Sequence, residues 1–217
     1  ESEDTGTHAY IRYNDVRVPK ENMLGPRGGA FIVAQTRLGG GRIHHAMRTS
    51  GRVQRIFDMM CERAISRTTQ GELLSKKQMV QEMIADSWIE MEMFRLLVLR
   101  TAWRIDRYND YKLVRRDISA VKAAMPGVYR NIASRALQIH GSLGVSWEMP
   151  FGKELLESFH MGLADGPTEV HKVQVARRVL DEYVPCDDIF PSTHLPKRRA
   201  AAEAKYADVL ERHLQTQ

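Results

Sequence analysis

The sequence contains little of what disulfide-linked or metal-bound domains depend on. Only two of its 217 residues are cysteines, Cys61 and Cys186, and they form neither a metal-binding nor a redox motif. The sequence therefore indicates a reducing compartment. It contains no apolar run long enough to span a bilayer, and residues 1–10 do not have the pattern of a signal peptide.

Charge of one sign is not segregated along the chain. There are 32 Lys and Arg residues against 27 Asp and Glu residues, for a formal net charge of +5. A basic excess favours anionic partners. However, Lys197–Arg199 is the only basic run of three, and no motif for reading a nucleic-acid groove accompanies it. We therefore expect no nucleic-acid partner, and a phosphate-bearing small molecule fits the charge at least as well.

The histidines do not have the spacing of a metal site. His44, His45, His160 and His171 match no common ligand set, and no cysteine accompanies them. We expect no bound metal. Most of these imidazoles are predicted to lie on helix surfaces or at interfaces, with His171 near the loop that contains Asp165.

Helical periodicity dominates the sequence from about residue 28 onward. The first predicted helix is interrupted at Gly39–Gly41, where the glycines either mark a break or allow a ligand or another helix to approach closely. Other helices are predicted over about 76–108, 114–140, 153–161, 168–183 and 199–214. Thr168 is the predicted N-cap of the fifth. With 43% hydrophobic residues, the chain is predicted to be an all-α, up-down bundle of long antiparallel helices.

The two ends of the chain differ from this helical region. Residues 9–18 are β-rich and stop at Pro19, which predicts one strand whose partners lie elsewhere. Three domains are predicted: a β remnant and connection over residues 1–25, the helical bundle over 26–184, and a Pro-punctuated tail over 185–217. Because the first residue is not Met, we expect a fragment or a processed chain.

The most informative motif is the Asp165–Gly166 pair, which lies between two helical patterns. A glycine in such a loop lets the backbone bend sharply, and the neighbouring carboxylate is then presented to a ligand. Asp-Gly is also an ordinary turn pair, so the motif gains its meaning from four other motifs in the chain. Those four motifs are residues 13–19 with 22–25, the pair Gly41-Arg42, the Arg-x-x-x-Gly run 67–71, and Gln138–Gly141 with Gly144.

The order of these five motifs along the chain resembles that in the acyl-CoA dehydrogenases. Residues 41–48 and 164–171 are most similar to family members 10 and 11. The resemblance covers about residues 9–183 and implies the C-terminal helical domain of that family. It implies α,β-dehydrogenation of an acyl-CoA thioester to a trans-2-enoyl-CoA. Asp165 is then the catalytic base, and Arg42 and Gly166 contact the substrate. Position 41, where some relatives have their base, is a glycine here.

The resemblance also implies FAD as cofactor. Arg67 matches a family arginine that contacts the FAD pyrophosphate, and Gln138, Gly141 and Gly144 match a segment that lies along the cofactor. Glu169 matches a cofactor-binding position where many relatives have Gln.

Partners and location follow from the same resemblance. The implied partners are the acyl-CoA substrate, an electron-transfer flavoprotein as electron acceptor, and further subunits in a dimer or tetramer, or a chain with the N-terminal domains. The expected location is bacterial cytoplasm or the mitochondrial matrix. A non-catalytic assembly subunit of a dehydrogenase-like complex is the alternative function.

Overall fold

The computed structural model describes residues 9–186 and 188–214. Within them lie seven α-helices: α1 (Ala30–Ser66), α2 (Gln78–Tyr108), α3 (Arg115–His140), α4 (Phe151–Leu163), α5 (Thr168–Leu180), α6 (Leu195–Lys205) and α7 (Ala207–Leu214). Short 3-10 helices span Lys20–Asn22, Leu74–Lys76 and Gly141–Val145. The prediction of an all-α bundle is confirmed.

The helix α3 is the centre of the first compact unit, which extends to Val175. It packs against α1, α2 and α4, because apolar residues recur every three or four positions along its sequence. The predicted stripe is buried over most of its length. Its buried members are Ile118, Val121, Met125, Ile132, Ala136 and Ile139.

The first helix is longer than predicted, since α1 runs for 37 residues straight through Gly39–Gly41. The predicted interruption there is wrong. At two of the three glycines, close neighbours explain the missing side chain: a Cβ on Gly39 would lie 3.1 Å from the Tyr111 ring, and one on Gly41 would lie 2.8 Å from Asp165 Oδ2. Packing around these glycines outweighs their poor helix propensity.

A small hairpin joins α1 to α2. Its strands β1 (Thr68–Thr69) and β2 (Glu72–Leu73) pair antiparallel, with Thr68 opposite Leu73. Both central turn residues, Gln70 and Gly71, have positive φ angles of 52° and 80°, as a tight primed turn requires. The run 67–71 is therefore a helix end followed by a hairpin.

The β-rich residues 9–18 do not form the predicted strand. They are exposed, and no ladder partner lies among the described residues. An unpaired strand leaves its backbone N–H and C=O groups without ladder hydrogen bonds, so it is not stable alone.

The second compact unit begins at Ala176. Within it, α6 packs beside α7, and Lys197 forms an ion pair with Asp188. The single helix predicted over 199–214 is wrong, because α6 begins at Leu195 and ends at Lys205, before Tyr206.

Candidate functional site

The α4–α5 loop has an unusual backbone conformation at its centre. Asp165 has a φ of 57° and Gly166 a φ of 111°. Asp tolerates the left-handed region better than most residues, whereas the Gly166 angle favours glycine. A Cβ on Gly166 would also lie 3.0 Å from His171 Nε2. This pair of residues turns the chain sharply and leaves the Asp165 side chain 16% exposed.

The last carbonyls of α4 are satisfied by groups that fix this loop. The backbone N–H of Ala164 donates to the His160 carbonyl at 2.9 Å, and the buried Lys122 Nζ donates to that of Met161 at 2.5 Å. Thr168 Oγ1 donates to that of Gly162 at 3.1 Å. Helix ends leave such carbonyls unpaired unless a donor is supplied. Here the Ala164 bond ends α4 itself, Lys122 joins α3 to α4, and Thr168 joins the start of α5 to α4.

The Thr168 hydroxyl therefore does not have the predicted N-cap role. Thr168 is the first residue of α5 itself, and its hydroxyl hydrogen is directed back to the Gly162 carbonyl. The prediction is wrong because closure of the loop onto α4 takes precedence over capping of α5.

Two side chains hold the backbone of Asp165. Arg42 Nε donates to the Asp165 carbonyl at 3.0 Å, and His171 Nε2 lies 3.4 Å from the same oxygen. His171 is buried and its Nδ1 lies 3.4 Å from Ser119 Oγ, so its ring links α3 to the loop. The structure thus brings together Arg42, Asp165 and Gly166, and confirms that His171 lies near the loop.

The Asp165 carboxylate faces α1. Its Oδ2 lies 3.3 Å from His45 Nε2, and it occupies the space that a side chain on Gly41 would fill. Of the two predicted positions for the histidines, helix surface or interface, His45 has the second: its side chain is only 22% exposed and lies between α1 and the loop. Contact with the loop, which lies far away in the sequence, buries this ring.

Burial alters the charges around the carboxylate. It is the main cause that lowers the pKa of His45, of His171 and of the Lys122 ammonium, while the charge of Asp165 raises each of them. Burial likewise lowers the pKa of Arg42. The two imidazoles are therefore predominantly neutral at neutral pH, since an ordinary histidine has a pKa near 6.5.

A second candidate region is an open groove of about 680 Å³ between the hairpin and the neighbouring helices. Gln138, at the end of α3, borders it together with Thr69 and Gln70 of the hairpin and with Lys76 and Lys77. Arg67, which precedes the hairpin, is exposed. The groove therefore presents amide and ammonium donors at an open surface.

Contacts and backbone angles within this chain explain why the two positions after Gln138, 141 and 144, are glycines. Gly141 ends α3 with a φ of 65° and open space around the position of a Cβ. Gly144 is buried, and a Cβ there would lie 2.2 Å from the Leu137 carbonyl oxygen. Glu169 lies exposed in the first turn of α5.

Sequence reasoning missed His45 and Lys122 as members of the loop site. A signal for Lys122 exists, because it follows Val121 within the apolar stripe of α3, where a lysine interrupts the pattern. A signal for His45 exists too, since it lies four residues after Gly41 and thus on the same helix face.

Residues 28–180 match the family described as the acyl-CoA dehydrogenase C-terminal domain. The chain belongs to the acyl-CoA dehydrogenase family. The resemblance found in its motifs is thereby confirmed, and it extends to relatives of the expected branch.

Two curated relatives and one solved structure illustrate the match. A probable acyl-CoA dehydrogenase of Mycobacterium tuberculosis, FadE2, is 40% identical over 180 residues, which cover 82% of this chain and 44% of the relative. Acyl-CoA dehydrogenase family member 11 of Rattus norvegicus is 40% identical over 82% of this chain and 23% of its own length. Butyryl-CoA dehydrogenase from Megasphaera elsdenii is 28% identical, with a TM-score of 0.72 over 77% of this chain and 43% of that chain.

The chain thus spans less than half the length of these relatives. Within the part that the structure describes, none of the helices has the length and apolar character that a membrane crossing needs. No cluster of three or more potential metal-ligating side chains is found among the same residues.

Proposed function

We propose that this chain supplies the catalytic base and part of the cofactor site of an FAD-dependent acyl-CoA dehydrogenase. The observation that supports this most directly is the Asp165 carboxylate. Its backbone is fixed by Arg42 and His171, and its side chain is largely buried beside Gly41. A general base needs such a fixed position within reach of the proton that it removes.

In the proposed reaction, Asp165 takes a proton from the carbon α to an acyl-CoA thioester. The hydride leaves the β carbon, and the product is a trans-2-enoyl-CoA. FAD, when bound, supplies the acceptor for that hydride. Negative charge develops on the thioester oxygen as the proton departs, so a hydrogen-bond donor at that oxygen stabilises the transition state. We assign this donation to the backbone N–H of Asp165.

Arg42 and Gly166 have proposed roles at the substrate. Arg42 uses Nε for the Asp165 carbonyl and its terminal nitrogen for Gln35 Oε1 at 3.3 Å. Its contribution is therefore chiefly to hold the loop in the position that the substrate meets. Gly166 gives the loop its turn and leaves the thioester room to approach, because it has no side chain.

The hydrogen-bond donors near the hairpin suit the phosphate oxygens of the FAD diphosphate. Arg67, just before the hairpin, has a planar fork of donors that suits phosphate oxygens. Gln138 and Lys76 add donors along the groove, where Lys77 forms an ion pair with Glu72. We propose that Arg67 and Gln138 hold the cofactor and that Gly141 and Gly144 let the α3–α4 connection approach it. Glu169 is proposed at the edge of this site.

Because the chain spans less than half of its relatives, the remaining wall of the flavin site is proposed to come from other sequence, on this polypeptide or another. We propose an electron-transfer flavoprotein as the acceptor. The sampled relatives come from a bacterium and a mammal, so bacterial cytoplasm and mitochondrial matrix both stay predictions.

The deciding experiment replaces Asp165 by Asn in the FAD-loaded protein that contains this chain. We expect bound flavin, judged by its absorbance band, to stay at the wild-type level. We expect turnover of an acyl-CoA to fall by at least about a hundredfold, because Asn does not accept the proton. Asp58→Asn, on the exposed side of α1, is the matched control. Unchanged turnover in Asp165→Asn would exclude Asp165 as the base.

One surface favours the alternative of an assembly subunit. The helix α2 exposes large apolar side chains at helical spacing, namely Ile89, Met93, Leu96 and Trp103, each at least 48% exposed. Such a stripe is typical of an interface, and we propose that it mediates a dimer or tetramer.

Sedimentation tests the assembly proposal. We expect Met93→Lys with Leu96→Lys to shift the protein to monomer, with Ser75→Lys outside the stripe as the control. A wild-type protein that sediments as a monomer would refute the proposed interface. An oligomer without flavin and without turnover would favour the assembly subunit.

A further inference from the structure

The backbone and the side chain of Asp165 are held by different partners. Arg42 and His171 contact its carbonyl oxygen, and those contacts leave the rotation of the side chain unrestrained. On the carboxylate itself, Oδ2 has the His45 ring at 3.3 Å and the empty side-chain position of Gly41 beside it. The α1 face therefore decides where the carboxylate points.

His45 is well suited to orient the carboxylate because its ring is largely uncharged. Its pKa is lowered chiefly by burial and further by Arg48 and His44 on α1 and by Lys122 on α3, whereas Asp165 raises it. A neutral N–H orients an anion without the full opposing charge that weakens a carboxylate as a base. Lys122, which has that full charge, donates its hydrogen bond to the Met161 carbonyl instead.

We propose that His45 is a positioning residue for Asp165: its ring, with Nε2 3.3 Å from Oδ2, keeps the carboxylate in the orientation that removes the substrate's α proton. This inference rests on the proposed function of Asp165 as the base. Because His45 acts through Asp165, its loss lowers the rate of proton removal and leaves substrate binding nearly intact.

The activity test uses the FAD-loaded protein and three variants. We expect His45→Ala to lower kcat about ten- to a hundredfold, the range for a catalytic group that is misplaced by up to about 1 Å, with KM within about twofold of wild type. His45→Gln has an amide N–H in place of the ring donor and should recover most of kcat. Met47→Ala, at a side chain of α1 that is 53% exposed, is the matched control and should behave as wild type.

The pH profile separates positioning from a merely structural role. Below the pKa of His45 the ring becomes a cation, which weakens Asp165 as a base, so wild-type kcat/KM should fall on the acidic side. In His45→Gln the group that titrates is absent, so this part of the fall should disappear. A fall of the same shape in both proteins, or a His45→Ala variant within twofold of wild type in kcat, would overturn the proposal.

A second readout does not depend on activity. The imidazole ring protons of His45 are titrated by NMR in this chain, as wild type and as Asp165→Asn. Because the Asp165 charge raises the pKa of His45, His45 should titrate at lower pH in the variant. Equal midpoints for His45 in the two proteins would refute the contact. Turnover in Asp165→Asn would instead refute the proposed function and leave this titration interpretable.

Discussion

The α4–α5 loop and the groove beside the hairpin are completed to different degrees by this chain. Around the loop, the hydrogen-bond donors find their acceptors within the chain: Arg42 donates to the Asp165 carbonyl, and Lys122 and Thr168 donate to carbonyls of α4. Gln138, by contrast, is exposed where it borders the open groove, and Arg67 is exposed just before the hairpin. The difference indicates that the chain preorganises the proposed base by itself, whereas the proposed cofactor site needs a further wall.

The largest effect should come from filling the space beside the carboxylate. In Gly41→Ala the new Cβ would lie 2.8 Å from Asp165 Oδ2, so the carboxylate must move. We expect turnover in the FAD-loaded protein to fall by about a hundredfold, as for a misplacement of about 1 Å. The fold itself should gain less than the roughly 1 kcal/mol that alanine gives in place of glycine within a helix, because displacement of the carboxylate offsets part of the gain.

Gly51→Ala is the matched control on the same helix, since a Cβ there meets nothing within 4 Å. It should raise the free energy of unfolding, measured with urea, by the full amount of up to about 1 kcal/mol and leave turnover unchanged. If both variants lose activity equally, the loop is not held against α1 as the structure shows.

An intermediate effect is expected at the groove. Arg67→Ala should weaken FAD binding about tenfold or more, the loss expected for a charged hydrogen bond, and leave the free energy of unfolding within about 0.5 kcal/mol of wild type. Flavin fluorescence titration measures the first quantity and urea unfolding the second. Arg198→Ala, on α6, is the control. Flavin affinity that is the same in all three proteins would remove Arg67 from the cofactor site.

The smallest effect is a loss of loop stability in acid. The pKa values of His45 and His171 are lowered chiefly by burial. Near pH 6.5 these two histidines therefore bind protons in the unfolded chain more readily than in the folded chain. The contribution of the two neutral histidines to the free energy of unfolding is therefore complete above about pH 6.5, and it is lost as the pH falls toward their pKa values in the folded chain.

Hydrogen exchange at pH 7.5 and 5.5 locates this loss. The amide of His171 should lose protection at the lower pH, whereas that of Leu74, bonded to the Arg67 carbonyl, should not. None of the described residues that line the groove is a histidine. Equal loss at both amides would mean that the acid sensitivity lies elsewhere in the fold.

Much of the helical architecture follows from residue spacing. The stripe from Ile118 to Ile139 predicts α3 almost to the residue, because burying one face of a helix needs apolar residues at that period. The site motif around Asp165 was found from its resemblance to a family, and the match over residues 28–180 confirms that family. The roles of the individual site residues stay predictions.

Elements whose stability depends on distant contacts were not predicted correctly. The glycines of α1 predict a break by propensity, but Tyr111 and Asp165 fill the space beside two of them and the helix continues. Thr168 has the pattern of an N-cap, but the carbonyl of Gly162 takes its hydroxyl hydrogen. In each case, a partner from another element decides the local structure.

The sequence by itself determined the helical class, the approximate bounds of the long helices and the loop motif of the family, because these depend on period and on local residue order. Only the tertiary structure decided that His45 faces Asp165 and that the Lys122 ammonium closes α4. Those contacts join residues 120 and 39 positions apart, and a distance in space between such residues is fixed by how whole helices pack.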